Sequence, residues 1–204
     1  MESQARGGTR WRRFGLVMVP SVAATAAIGV AIGSGALAAS LTMSGDQFKV
    51  RVASLDGDGF VQYGTTITAS GEGDRAVAAS SFSHADIVDL CQSVVVDLPV
   101  LGEYTLKITA GTDPENPVVA ENLFIDVTQL DAQATFTNIE IGVSTGSTGR
   151  IRDGEDTDED SFAQRSDGVY LTDVEQVAYG TSAGSFKLTD LSLSLHRGSE
   201  EECF

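Results

Sequence analysis

Histidine, cysteine and positive charge are all scarce in this chain, and each shortage removes a class of chemistry. Among 204 residues there are two histidines and two cysteines. No pair of them is closely spaced, so the sequence offers no zinc site. Any general base of histidine type must be His84 or His196. Lysine and arginine together number 13 against 29 acidic residues, a net charge of −16. Such a surface repels phosphate backbones and excludes nucleic acid as a partner. It also disfavours direct adhesion to anionic lipid headgroups. Beyond residue 39 the 3.6-residue periodicity of amphipathic helices is nearly absent, which argues against a helical domain.

One long apolar run is present, and it comes first. Arg10, Arg12 and Arg13 precede an uncharged stretch from Phe14 to Ala39 that ends Ala36-Leu37-Ala38-Ala39. Basic residues, an apolar run and a small-x-small end form the pattern of an export signal cut after Ala38. The run is also long enough to remain as a membrane anchor. Residues 1–38 are therefore read as a signal peptide or a membrane anchor. Either reading places the remainder, 39–204, outside the cytoplasm, secreted or anchored to the membrane by that segment. Removing 1–38 takes away four arginines and Glu2, so the mature net charge becomes −19.

Residues 39–204 read as an all-β domain. Short runs rich in Val, Ile, Thr and Phe alternate with glycine. Strands are predicted near 46–54, 59–69, 75–83, 86–97, 103–110, 118–130, 133–144, 168–179 and 184–196. Turns are predicted at Asp56-Gly57-Asp58-Gly59, at Gly71-Glu72-Gly73-Asp74 and over Thr112–Pro117. A quiet repeat of the form apolar, three residues, acid, aliphatic occurs at Phe82–Ile87, Phe136–Ile141, Val169–Val174 and Phe186–Leu191. In the last unit Phe186 and Leu188 are even-numbered, whereas Leu191, Leu193 and Leu195 are odd. A strand has a side-chain period of two, so each unit requires a bulge or a corner. Strands that bend repeatedly suit a solenoid-like or sandwich arrangement.

Cys91 and Cys203, an even pair in an exported domain, are expected to form a disulfide that ties the C-terminus to the middle of the chain.

Two pentapeptides match the serine-hydrolase pattern G-x-S-x-G, around Ser144 and around Ser182. The hydrolase elbow needs a helix after the serine, so that backbone amides form an oxyanion hole. No helix is expected after either one, and the turn reading is preferred. His196 ends the last strand and could complete a triad with Ser182. His84 stands where Leu171 and Leu188 stand in the repeat, so it is expected to face the interior.

The segment 147–167 is an acidic loop, with six acids within Asp153–Asp160. Asp156, Asp158, Asp160 and Asp167 fall at positions 1, 3, 5 and 12 of a calcium loop. The sixth position is Ser161 instead of glycine, and no helices flank it. A solvated loop without a cofactor is the preferred reading, with calcium as the alternative.

Gly-Phe-Val-Gln-Tyr-Gly at 59–64, Leu-Cys-Gln-Ser-Val at 90–94, Phe-Thr-Asn-Ile at 136–139, Thr-Ser-Ala-Gly-Ser-Phe at 181–186 and the terminal Cys-Phe carry a likeness. With these motifs the chain resembles a streptomycete-type family of exported actinobacterial proteins of unknown function. Some of its members carry the label cholesterol esterase. The resemblance implies export and paired cysteines. A weaker likeness, in Val177-Ala178-Tyr179 and the leucine-rich run from Phe186, is to open β-folds that hold lipid chains in a groove. The functional expectation is non-catalytic binding of an apolar ligand, a lipid or an envelope protein. Hydrolysis of lipid esters and a structural coat role are the alternatives.

Overall fold

A computed structural model describes residues 46–70, 73–152, 154–155 and 157–204. The signal or anchor expectation for 1–38 lies outside the described residues. The described residues are all-β, in nine strands: β1 Phe48–Ala69, β2 Gly73–Val88, β3 Leu90–Leu98, β4 Gly102–Ala110, β5 Val118–Thr137, β6 Glu140–Ser144, β7 Phe162–Ser182, β8 Ser185–Lys187 and β9 Ser192–Arg197. One 3-10 turn spans Thr145–Ser147.

All nine strands belong to one antiparallel sheet, in the order β6-β7-β5-β2-β1-β3-β4-β9, with β8 beside β5. β7 also pairs with β1, from Phe48↔Ala178 to Tyr63↔Ala163. The four longest strands therefore close a ring, β1 to β2 to β5 to β7 and back to β1. The expectation of bent strands holds, but the arrangement is a single sheet folded over on itself. It is neither a coil of stacked repeats nor two separate sheets, because the hydrogen-bond ladder is continuous around the ring.

The bends lie along two creases. Ser54 pairs with Val88 and with Thr172, so the register sets Ala53 opposite both Asp89 and Asp173. Both aspartates are left-handed, at φ 54° and 51°. The same line continues to Gly111, whose carbonyl accepts from the Asp89 amide at 2.7 Å, and to left-handed Asp190 opposite Gly111. A second line runs through Gly59, Asn122 and Asn138, at φ 60°, 49° and 54°. Asp and Asn tolerate this region better than other side chains. Each crease shifts the strand by one residue relative to its faces. In β1 the buried positions are Val50 and Val52 before Ala53, then Leu55 and Gly57 after it.

Two sequence expectations change here. The repeat acids Asp173 and Asp190 do mark corners, but at the other two units the left-handed residues are Asp89 and Asn138. Asp56–Gly59 is not a turn, because β1 runs through it. Its glycines serve packing instead. A Cβ on Gly57 would lie 2.6 Å from Phe82 Cδ1, and Gly59 holds the crease. β7 likewise begins at Phe162, inside the segment read as loop.

Cys91 and Cys203 form the expected disulfide, with Cα atoms 5.8 Å apart and a sequence separation of 112. Closing a loop of that length contributes on the order of 4–5 kcal/mol in the chain-entropy account. The C-terminal tail it anchors is held further by the Cys203 amide to Ser93 Oγ at 3.0 Å and by Lys49 to Glu202 at 3.0 Å.

Candidate functional site

The inner face of the ring carries the main core. Phe60 meets Phe82 and Phe136 with ring centroids 5.5 Å from each. These residues do not fill the space. A cavity of about 180 Å³ remains. Its walls are Val50, Val52 and Leu55 of β1, Ile87 of β2, Leu90 of β3, Leu123 and Ile125 of β5, and Val169, Leu171 and Val174 of β7. Protein interiors rarely keep voids larger than a water molecule, and an engineered apolar void of about 150 Å³ takes benzene.

The cavity reaches solvent. Leu130, Ala132, Ala134 and Phe186 line it and are exposed. β5 leaves β2 after Val127, which pairs with Ala78, so its second half is bonded to β7 on one side. That departure opens the wall.

The apolar surface continues outward across the sheet. Val50 and Gln92 both line the cavity and pair with each other, Gln92 pairs with Ile108, and Ile108 pairs with Leu193. Directly opposite residues share a face. The next row is Val94, Leu106 and Leu195. On β9, Leu193 is 63% exposed and Leu195 more than half exposed, as is Leu191 just before the strand. An apolar face that leaves a cavity and stays uncovered is the kind of patch that marks a binding surface.

One end of the cavity is polar. Gln164, Gln62 and Ser80 stand in a single cross-strand row. Gln62 Nε2 donates to Ser80 Oγ at 2.8 Å, and Gln164 Nε2 donates to Gln62 Oε1 at 2.7 Å.

The sequence profile of a family matches residues 44–204. The chain belongs to the Family of unknown function (DUF6230). No curated protein and no solved structure was found to match it.

In this DUF6230 domain the residues singled out in the sequence are dispersed. Ser144 ends β6, and the Ser147 hydroxyl donates to its carbonyl at 2.7 Å. The chain then enters a 3-10 turn of three residues. Ser182 ends β7, paired with Phe124. His196 lies on β9, its Nε2 2.9 Å from Ser194 Oγ. His84 does not face the interior. It is half-exposed, with Nδ1 2.8 Å from Glu121 and Nε2 3.4 Å from Asp86. The bond to Glu121 raises its pKa, burial opposes the rise, and Asp86 adds to it. The reason is register. His84 lies directly opposite Glu121, and Asp86 comes two residues later on the same face.

Of the calcium-loop positions, Asp158 Oδ1 accepts from the Asp160 amide at 3.0 Å, and Asp167 Oδ2 accepts from Asn138 Nδ2 at 2.8 Å. Asp156 lies outside the described residues. Among the described residues there is no cluster of three or more metal-ligating side chains.

The acidic segment is docked at its base, which its composition did not reveal. Arg152 reaches fully buried Asp126 at 2.9 Å and lies over the Phe124 ring. Burial opposes the Arg152 charge, but Asp126, with Glu155 adding to it, raises its pKa. Tyr63 donates to Glu155 Oε2 at 2.8 Å, and the Arg152 amide donates to the Tyr63 hydroxyl at 3.3 Å. Burial above all pushes the Tyr63 phenol well above its usual range. Beside this group, Val143 and Ile151 pack on Val61, Tyr63, Ala79 and Ala163 as a second small core on the outer face.

Proposed function

We propose that this is an exported protein that binds an apolar ligand inside its closed sheet without catalysing a reaction on it. The observation that carries the reading is the cavity of about 180 Å³, lined by aliphatic and aromatic side chains and open beside Leu130 and Phe186. The leucine face of β9 supports it, because an elongated ligand that leaves the cavity meets apolar surface instead of water. Burial of ligand carbon is worth roughly 25 cal/mol per Å² of apolar area. The crossing of strands around the ring keeps the cavity formed, which limits the ordering cost of binding. An exported carrier of lipid, or an envelope protein that docks a lipid-bearing partner, is the role consistent with this surface.

The test is extraction. The full chain is produced in a host that exports it and purified without detergent. Organic extracts are then compared by mass spectrometry with those of Leu171→Trp, which fills the cavity. A lipid enriched on the wild type and lost from the filled variant is the expected result. Equal traces on both, together with no binding of toluene by either, would refute the reading. Hydrolysis of an added lipid ester, or assembly into filaments, would point instead to an esterase or to a coat component.

A further inference from the structure

Charged residues number 42 in this chain, as 13 basic and 29 acidic, yet among the described residues none lines the cavity. Its polar groups are amides and hydroxyls alone: Gln62, Ser80, Gln92, Gln164, Gln176 and Thr181. A carboxylate or phosphate drawn into this space would lose its hydration and meet no cation. Such a transfer costs far more than the burial of a chain returns. An ammonium would fare no better, because the wall holds no carboxylate. The composition of the wall thus selects against ions of either sign.

The polar row selects for something in addition. An amide side chain carries two N–H donors and an acceptor, and a serine hydroxyl one donor with two lone pairs. In the row, Gln164 gives one N–H to Gln62, and Gln62 gives one to Ser80. The Ser80 hydroxyl proton, the second N–H of each glutamine and the Gln164 carbonyl oxygen are not used within the row. The row can donate to an oxygen and accept from a hydroxyl at the same time. Gln176, buried and on the wall, makes no side-chain hydrogen bond among the described residues. A wall that is otherwise apolar gains nothing from these amides in packing, since buried polar groups cost free energy unless paired.

We infer that the ligand is an uncharged amphiphile whose hydroxyl or ester oxygen binds the Gln164–Gln62–Ser80 row while its hydrocarbon fills the cavity. This inference rests on the cavity-binding reading above. It excludes free fatty-acid anions and phospholipid headgroups from the cavity, and it names neutral lipids of the alcohol or ester class as the cargo.

Three probes of nearly one size separate the two ideas: toluene, benzyl alcohol and benzoate. Each is titrated against the full exported protein at pH 8 and followed by methyl NMR shifts. Toluene reads the cavity alone. We expect toluene and benzyl alcohol to saturate and benzoate to bind at least tenfold more weakly than the alcohol. Gln62→Leu should weaken benzyl alcohol about tenfold and leave toluene unchanged or tighter. Gln164→Lys, at a half-buried position that can take a longer side chain, should bring benzoate binding to within threefold of the alcohol. Benzoate binding as tight as benzyl alcohol in the wild type would overturn the inference while leaving the cavity reading intact. So would a folded Gln62→Leu protein with unchanged alcohol affinity. Failure of all three probes, toluene included, would overturn both.

Discussion

Arg152 and Asp126 form an ion pair at 2.9 Å between the segment before β7 and the outer face of β5, and the Asp126 side chain is completely buried. The pair fixes the base of a segment whose composition suggests only solvation. Asp126 sits at a register shift in the β5–β7 ladder, between Ile125 and Val127, and all three are buried. Ile125 lines the cavity and Val127 packs in the main core, whereas Asp126 turns to Arg152 on the other side.

Removing Arg152 should consequently be costly. Arg152→Ala leaves Asp126 buried without a cation, and breaking one side of a buried pair costs about 3–5 kcal/mol. Asp126→Leu with Arg152→Met should recover most of that loss, because an apolar replacement leaves no orphaned charge. Glu159→Gln, on the exposed part of the same segment, should change stability by less than about 0.5 kcal/mol. Denaturant unfolding of the three variants checks the order. Equal small losses in all of them would mean the segment is not anchored by this pair.

Tyr63 gives the same cluster a pH signature. Its folded pKa is raised, mainly by burial. A raised pKa contributes stability that is complete below the unfolded value, about 10 for tyrosine, and that is lost as pH rises above it. Wild type should thus lose stability steeply from about pH 10 upward. Tyr63→Phe, which has no proton to lose, should show a shallower decline there. At neutral pH it should be less stable by about 1–3 kcal/mol, because Glu155 and the Arg152 amide lose their partner. Denaturation midpoints measured across the alkaline range, alongside a near-ultraviolet titration of the phenols, test both halves. Parallel pH curves for the two proteins would remove Tyr63 as the cause.

Much of the fold is legible in the chain because it is written in short-range patterns. Alternation marks the strands. The parity slip within Leu188–Leu195 and at Asp173 marks the corners, since a change of face is visible one residue at a time. The cysteine count points to the Cys91–Cys203 bridge. The hidden features depend on pairing between distant segments. The β1–β7 ladder joins Val52 to Val174 across the chain, and neither strand's own residues announce it. The glycines of Asp56–Gly59 read as a turn because a turn and a close approach to Phe82 use the same residue type. The docking of Arg152 on Asp126 and the outward position of His84 are likewise invisible in sequence, since each depends on a partner supplied by another strand. Gln62, Ser80 and Gln164 lie far apart in the chain, and only register makes them a row.

The creases predict an unusual order of substitutions. Asp173 holds φ 51° opposite Ala53, and its carboxylate accepts from Gln133 Nε2 at 2.7 Å. If the backbone demand dominates, Asp173→Gly should fall within about 0.5 kcal/mol of wild type, because glycine enters the left-handed region freely. Asp173→Val should lose about 1–3 kcal/mol, since a β-branched residue is strained there. Equal losses for Gly and Val would instead assign the cost to the carboxylate and its bond to Gln133. Thermal unfolding of the two variants decides between them.

The serines can be tested against the binding reading directly. A serine nucleophile needs a base within hydrogen-bond reach and donors placed for the oxyanion. Ser144 leads into a three-residue 3-10 turn, and Ser182 leads within three residues into β8, so neither precedes the helix that the hydrolase elbow uses. The His196 ring bonds Ser194, and the His84 ring is held between two carboxylates. We expect turnover of a short-chain chromogenic ester by the purified protein to be faint, and unchanged in Ser144→Ala, Ser182→Ala and His196→Ala. Loss of a true triad member lowers the rate by a factor of about a thousand or more. Clear turnover by wild type with a drop of that size in any one variant would make the protein an esterase. The apolar cavity would then be where its substrate's hydrocarbon lies, and the amide row where the ester oxygen is held. The same three variants should leave toluene binding untouched in either case, so a loss of binding would show that the substitution had disturbed the fold instead of the chemistry.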